Sequence, residues 1–163
     1  MFENFSNTSR IWIYISDKPF SSNQQLELEP RLKAFCVNWT AHNHQLKAEM
    51  KILHYQMIIV AVDETQAGAS GCSIDKSVNL MKEIEKDYQV NLFERTRVAF
   101  ISPKGEIKTA LINEIIHLYD IGELNEHTDV FNTLVQTKLE LESNFVIPLK
   151  ESWVKKYLKT TVR

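Results

Sequence analysis

The sequence is poor in the residues that interrupt or cross-link a chain. Among 163 residues it has four glycines, four prolines and two cysteines. No stretch rich in proline, glycine or serine separates one part of the chain from another, so we expect a single domain over residues 1–163. Cys36 and Cys72 are too few for a disulfide framework, and we expect both thiols to be free.

Long apolar runs and a strong charge of one sign are also missing. No run approaches the ~20 residues that a membrane-spanning helix needs, and the first residues lack the basic and apolar regions of a signal peptide. We therefore expect a cytoplasmic protein without a membrane partner. The net charge of −2 argues against a nucleic-acid partner. A basic C-terminus is interpreted as a helix-dipole and solubility effect; its charged residues are Lys155, Lys156, Lys159 and Arg163.

What is present is the composition of a globular protein, 44% hydrophobic and 25% charged. Hydrophobic periodicity predicts the order strand, helix, strand, strand, helix, strand. The predicted strands cover residues 10–16, 45–55, 57–62 and 97–102, and the predicted helices cover residues 29–39 and 73–88. Residues 45–55 alternate at period two like an edge strand, whereas 57–62 is apolar throughout like a strand buried on both faces. Pro30 is placed in the first turn of the first helix.

This order is that of a split-βαβ (ferredoxin-like) core, so the predicted class is α+β. The core would cover about residues 10–110, and a C-terminal extension of helical and mixed structure would cover about 111–163. A three-layer α/β fold is the alternative. The split-βαβ sheet has strand order 4-1-3-2, which places the connection containing His42 and His44 at the same sheet edge as residues 63–76.

Residues 56–79 read as a buried strand, a small-residue loop and a helix start, which makes them the first place to look for a site. Asp63 and Glu64 end the strand, and Ser73 is the expected N-cap of the following helix. The donors that could bind an anion here are the side chains of Ser70, Ser73, Ser77 and Lys76 and the backbone amides near Gly71. The alternative is that the serines only cap the helix, and Asp75 weakens the case for an anion.

Cys72 lies just before this helix, where the helix dipole favours a thiolate. His42 or His44 could act as its base if the predicted topology holds. The alternative is a small, unreactive cysteine. A metal could be held by the two histidines with Asp63 or Cys72, but no second closely spaced ligand pair exists, so we predict no metal and no cofactor.

The segment ending in Lys76-Ser77 partly matches the phosphate-binding loop of nucleotide hydrolases. Asp75 stands where that loop requires a glycine, and no glycine lies seven residues before Ser77. A carboxylate at that position would face the phosphates. We therefore predict that the protein is not an ATPase of this type.

Several segments, most specifically S-G-C-S-I-D-K-S at residues 70–77, resemble a family of small, uncharacterised bacterial proteins. The other segments that carry the resemblance include residues 11–20, 39–42, 62–64, 130–137 and 151–153. Members of that family are often labelled ABC transporter ATPases, a label that the incomplete phosphate loop does not support. The resemblance transfers no catalytic residues.

Three functions follow as hypotheses. The leading one is binding of a small polar or anionic ligand at residues 63–77. The second is a thiol-dependent enzyme that uses Cys72 with His42 or His44. The third is a non-catalytic interaction module that forms homo-oligomers through the small-residue loop.

Overall fold

Two compact units of α+β structure make up the part of the chain, residues 1–158, that the computed structural model describes. The predicted α+β class is confirmed. The first unit consists of Met1–Phe93 with Thr133–Ser143, and the second consists of Glu94–Asn132 with the chain from Asn144 onward. The longer segment of the first unit ends at Phe93, and the shorter one returns from beyond residue 110. Lys159 and Arg163 of the basic C-terminus lie outside the described residues.

The first unit contains most of the predicted core. Its strands are β1 (Arg10–Ile15), β2 (Thr40–Ala41), β3 (His44–Gln45), β4 (Lys47–Leu53) and β5 (Met57–Asp63). Its helices are α1 (Ser22–Asn38) and α2 (Gly71–Tyr88). Strands β1, β5 and β4 form one sheet in that order, with β5 antiparallel to both neighbours. This is the predicted arrangement of the first three strands.

Strand β5 is buried along its whole length, as its unbroken apolar sequence predicts. On one face of the sheet, Ile58, Val60 and Val62 pack in a cluster with the apolar faces of α1 and α2. Strand β4 is the edge strand that the period-two pattern predicts. The hairpin between them turns at His54 and Tyr55, both in the left-handed region with φ of 50° and 61°, as a tight two-stranded turn requires.

Two sequence predictions need correction. The fourth strand, β6 (Arg97–Ile101), does not join this sheet; it pairs instead in the second unit, so the 4-1-3-2 order is incomplete. Helix α1 begins at Ser22, not near residue 29, because Ser21 and Gln24 form a capping box. Pro30 therefore lies inside the helix, on its exposed side, where water can satisfy the carbonyl that proline cannot bond.

The second unit is built on a separate four-stranded antiparallel sheet. Its further strands are β7 (Ile107–Leu111), β8 (Asp129–Phe131) and β9 (Val146–Pro148), in the order β7-β6-β8-β9. Helix α3 (Ile112–Asp120) packs Ile115 into a core with Val98, Phe100 and Leu149. Helix α4 (Lys138–Asn144) lies mostly in the first unit, and the chain continues as short 3-10 helices at Leu149–Glu151 and Trp153–Tyr157. None of the helices in residues 1–158 is long and apolar enough to span a membrane.

Candidate functional site

Asp63 is buried, 3% exposed, and its carboxylate is fully engaged within the chain. It accepts hydrogen bonds from Lys47 Nζ at 2.9 Å and from the backbone amides of Ser6 and Thr65 at 3.1 Å each. Burial alone would raise the pKa of Asp63, but the bonds from Lys47, Thr65 and Ser6 outweigh burial and hold it well below its usual range. Asp63 therefore ties the end of β5 to the start of β4.

Glu64, the next residue, closes the loop that follows β5. Its Oε1 accepts a hydrogen bond from the backbone amide of Ala69 at 2.8 Å and lies 3.5 Å from a guanidinium nitrogen of Arg10. The two acids that sequence placed in a ligand site thus stabilise the loop and both neighbouring strands. A ligand role for either stays a prediction, and it would have to displace these bonds.

The serines of the predicted anion site cap helix α2. Ser70, not Ser73, is the N-cap: its Oγ accepts from the amide of Ser73 at 3.2 Å, and Ser73 Oγ accepts from the amide of Ser70 at 2.8 Å. Sequence alone could not choose between two serines three residues apart, because each satisfies the other. Ser77 is buried and donates to the carbonyl of Ile74 at 2.7 Å.

Three groups of the predicted site lack an intrachain partner among residues 1–158. They are the backbone amides of Gly71 and Cys72, in the first turn of α2, and the exposed amine of Lys76. Binding of a polar or anionic ligand by residues 63–77 stays a prediction that depends on these groups.

The predicted neighbourhood of the histidine connection and the start of α2 is present. Trp39, which ends α1, donates its indole N–H to the carbonyl of Ser73 at 2.8 Å in a buried hydrogen bond. His42 and His44, however, are both exposed, and within the described chain neither has a hydrogen bond to Cys72. Cys72 is exposed as well. A thiol reaction at Cys72 assisted by a histidine therefore stays a prediction.

A separate feature of the first unit is a cavity beside α1. The cavity, of about 750 Å³, runs between α1 and the outer edge of β4. Its volume falls in the range of ligand-binding clefts in general. We call it the edge groove. Its apolar lining residues include Leu32, Cys36 and Val37 of α1 and Ala48, Met50 and Ile52 of β4, and Glu29 and Lys33 of α1 add charged groups to the same wall.

The backbone of β4 determines what the edge groove offers. The Ile11 amide donates away from β5, to the carbonyl of Gln136, so the even-numbered residues of β1 are the ones whose backbone groups bond to β5. These pair with the even-numbered residues of β5, which leaves the odd-numbered residues of β5 to bond to β4. By the register, their partners are the odd-numbered residues of β4. The even-numbered residues of β4 must then direct their N–H and C=O groups into the groove. Leu46 agrees, because its amide donates to the carbonyl of Trp39 at 2.9 Å.

Three even-numbered residues of β4 line the groove, and one of them is engaged. The amide of Met50 bonds to the sulfur of Cys36, so α1 reaches over the strand edge at this point. Burial first, and Glu49 second, raise the pKa of Cys36 to about 12, against the effect of the Met50 amide. The N–H and C=O groups of Ala48 and Ile52, and the carbonyl of Met50, have no hydrogen-bond partner in residues 1–158.

The odd-numbered side chains of β4 form a charged row on the opposite face of the sheet. Lys51 lies 3.1 Å from Glu49, and Lys47 is bonded to Asp63 and to the carbonyl of Asn4. The side chains of Lys47, Glu49 and Lys51 stay 46%, 42% and 41% exposed. The edge of β4 thus separates an apolar side beneath α1 from a row with the charge order plus, minus, plus.

Comparison with known proteins adds nothing to this geometry: no family model, no curated protein and no solved structure matches the chain. The resemblance carried by residues 70–77 stays a prediction. The signal that could have led to the edge groove is the period-two pattern of residues 45–55, because an edge strand keeps one row of backbone groups unpaired.

Proposed function

We propose that this protein is a binding module that takes up an extended polypeptide segment, which adds as a further strand to the outer edge of β4 beneath α1. One observation carries the proposal: the unpaired backbone groups of Ala48 and Ile52 face an apolar groove of about 750 Å³. Backbone pairing would supply affinity, since each hydrogen bond contributes roughly 0.5–1.5 kcal/mol, and the groove would hold alternate side chains.

The helical wall of the groove supports binding of a peptide in particular. Val37, which lines the groove, is 62% exposed. Exposed apolar side chains beside unpaired backbone groups mark a surface that a partner can cover. A small ligand could fill the groove, but it would not use donors and acceptors that repeat at the spacing of a strand.

A second copy of the protein fits this edge less well. Cys36 reaches the outward amide of Met50, so α1 overhangs the edge of β4. Two copies joined by antiparallel β4 strands would place two overhanging helices on the same face of a continuous sheet. Met50 would also withhold its amide from both partners. A single extended segment also forgoes the Met50 amide, but it brings no second overhanging helix to the edge.

The proposal is tested with a capped octapeptide of alternating valine and serine. On titration into ¹⁵N-labelled protein, we expect the amides of Ala48 and Ile52 to shift downfield and to gain protection from hydrogen exchange. The amide of Met50, already bonded to Cys36, should change less. The matched controls are two versions of the same peptide, one with N-methyl groups on the valines and one with N-methyl groups on the serines. Alternate residues direct their N–H groups to opposite edges of the peptide, so only the version methylated on the edge that faces β4 should fail to bind.

Variant Ala48→Pro provides the corresponding change in the protein. Proline replaces the outward N–H of Ala48 with a ring carbon that points into the groove, so peptide binding should be lost while the β4–β5 pairing stays intact. Peptide binding that leaves both amides unshifted, or that survives Ala48→Pro unchanged, would contradict the proposal.

A further inference from the structure

Resting on the proposed function, we infer that the bound segment has apolar residues at alternate positions and the charge order acidic, basic, acidic at the three positions between them. The segment would lie opposite residues 47–52 of β4, beyond the Leu46 amide that already bonds to Trp39, with its central basic residue facing Glu49.

The alternation follows from the pleat of the sheet. A strand added beside β4 continues the alternation of its side chains, so every second residue points to the side of α1. There it meets the apolar side chains of Leu32, Val37, Ala48 and Ile52. A charged side chain at one of these positions would lose hydration against them, and it would gain an ion pair only next to Glu29 or Lys33 of α1.

The charge order follows from the row on the other face. Side chains directly opposite each other on neighbouring antiparallel strands lie about 5 Å apart, and opposite charges there attract. The row Lys47, Glu49, Lys51 is half-exposed and therefore within reach of an added strand. Its complement is acidic, basic, acidic. Because this order is symmetrical, it holds for an added strand of either direction.

Lys47 and Lys51 are already paired with Asp63 and Glu49. The preference for one peptide over another must therefore come from the order of charges along the peptide, and not from an overall attraction between peptide and protein. A reversed segment, basic, acidic, basic, would place like charges opposite each other at all three positions. With each pair contributing roughly 0.2–1 kcal/mol, the two orders should differ in dissociation constant by about tenfold or more at low salt.

The test uses three capped heptapeptides measured by fluorescence anisotropy: V-E-V-K-V-E-V, its charge reversal V-K-V-E-V-K-V, and neutral V-S-V-S-V-S-V. We expect the first to bind most tightly and the second most weakly, with the difference shrinking in 1 M NaCl because salt screens half-exposed charges. Equal affinities of the three, or a preference for the reversed peptide, would overturn the inference and leave the proposed function standing. Binding of none of the three would overturn both.

Variant Lys51→Glu locates the effect on β4. It should lower the affinity for V-E-V-K-V-E-V and raise the affinity for the reversed peptide, each about threefold or more. Lys108→Glu on β7 is the matched control, because Lys108 lies 3.2 Å from Glu106 in the same two-residue spacing that Lys51 has to Glu49. If Lys108→Glu changes the preference as much, or if sedimentation shows a dimer that Lys51→Glu dissociates, the inference is wrong.

Discussion

The two outer edges of the β1-β5-β4 sheet differ in how the rest of the chain bonds to them. The edge of β1 is bonded by returning segments: the Ile11 amide donates to the carbonyl of Gln136 at 2.9 Å, and the Asp17 amide donates to the carbonyl of Asn91 at 3.1 Å. A depression of about 530 Å³ lies between β1 and residues 133–137. The edge of β4 is bonded at its start by Trp39 and in its middle only by a cysteine side chain.

This difference shows how a small sheet can limit where it accepts a partner. An uncovered edge pairs with any available strand, and proteins usually cover or charge it. On the β1 side the chain pairs the start of the edge, at Ile11, with its own backbone. On the β4 side it keeps the edge accessible but places a lysine-glutamate-lysine row and an overhanging helix there, so that backbone pairing alone does not decide which segment fits.

The largest expected effect is a difference in stability between proline variants at two neighbouring positions of β4, one bonded to β5 and one facing the groove. In Glu49→Pro the lost N–H belongs to the β4–β5 ladder, so we expect a loss of about 3 kcal/mol or more in the free energy of unfolding. In Ala48→Pro the lost N–H faces the groove, and the loss should be about 1 kcal/mol. Urea unfolding of the two neighbouring variants measures the difference. Equal losses would show that the outward direction of Ala48 is wrong.

The next effect concerns the acid that holds β5 to β4. Replacing Asp63 by Ala removes the charged acceptor of three partly buried hydrogen bonds, from Lys47 and from the amides of Ser6 and Thr65. We expect the free energy of unfolding to fall by about 3 kcal/mol, because three bonds to one charged group are lost together and water replaces them only in part. Thermal or urea unfolding at neutral pH measures this loss.

The same carboxylate predicts a pH dependence. Its pKa is lower in the folded protein than in the unfolded chain, so it binds a proton less readily when folded. Its stabilising contribution is therefore complete above the unfolded value of about 4 and is lost as the pH falls through the folded value. Wild type and Asp63→Ala should approach each other in stability as the pH is lowered from 5 towards 2. A constant difference across that range would contradict the assignment.

Sequence predicted the parts of this sheet that depend on local pattern. The unbroken apolar run predicted that β5 is a buried strand, and the period-two pattern predicted that β4 is an edge strand. The course of the fourth strand was not predictable, because β6 has the same apolar character in either sheet. Nor could Pro30 be placed, since a strong cap at Ser21 starts the helix early enough to enclose it.

The site was predicted less well than the fold, for a related reason. Sequence pointed to acids and serines at a strand end and a helix start, and in the structure Asp63, Glu64, Ser70 and Ser73 are all hydrogen-bonded within the chain. Their hydrogen bonds, however, are made to one another's backbone or to distant residues such as Lys47. Which backbone groups stay unpaired depends on such long-range pairing, which composition and spacing do not contain.

A smaller effect is expected at Cys36, the side chain that engages the β4 edge. Its side chain is buried, at 6% exposed. Cys36→Ala should cost on the order of 1–2 kcal/mol and leave the outward Met50 amide without its acceptor. In the folded protein, iodoacetamide should modify exposed Cys72 and not Cys36, as mass spectrometry can show.

Cys36 also predicts an alkaline effect of opposite sign to that of Asp63. Its pKa is raised when folded, so the folded protein keeps the thiol proton that the unfolded chain loses above about pH 8.5. The contribution of Cys36 is complete below that value and declines as the pH rises towards 12. The stability difference between wild type and Cys36→Ala should therefore narrow between pH 8 and pH 10.5. A difference that widens would contradict the burial of the thiol.

The smallest effect is expected at Glu64, which serves the β1 side of β5 as Asp63 serves the β4 side. Glu64 and Arg10 are 3.5 Å apart with side chains 30% and 43% exposed, so their ion pair is screened by water. Glu64→Gln keeps an acceptor for the Ala69 amide and removes only the charge, which should cost about 0.5 kcal/mol. Glu64→Ala removes the acceptor as well and should cost about 1 kcal/mol more, because the amide loses its bond. Urea unfolding of Glu64→Gln, Glu64→Ala and Asp63→Ala under the same conditions ranks the three losses in the free energy of unfolding. A loss in Glu64→Gln as large as that in Asp63→Ala would show that the two edges are held equally, and that burial does not set the difference between them.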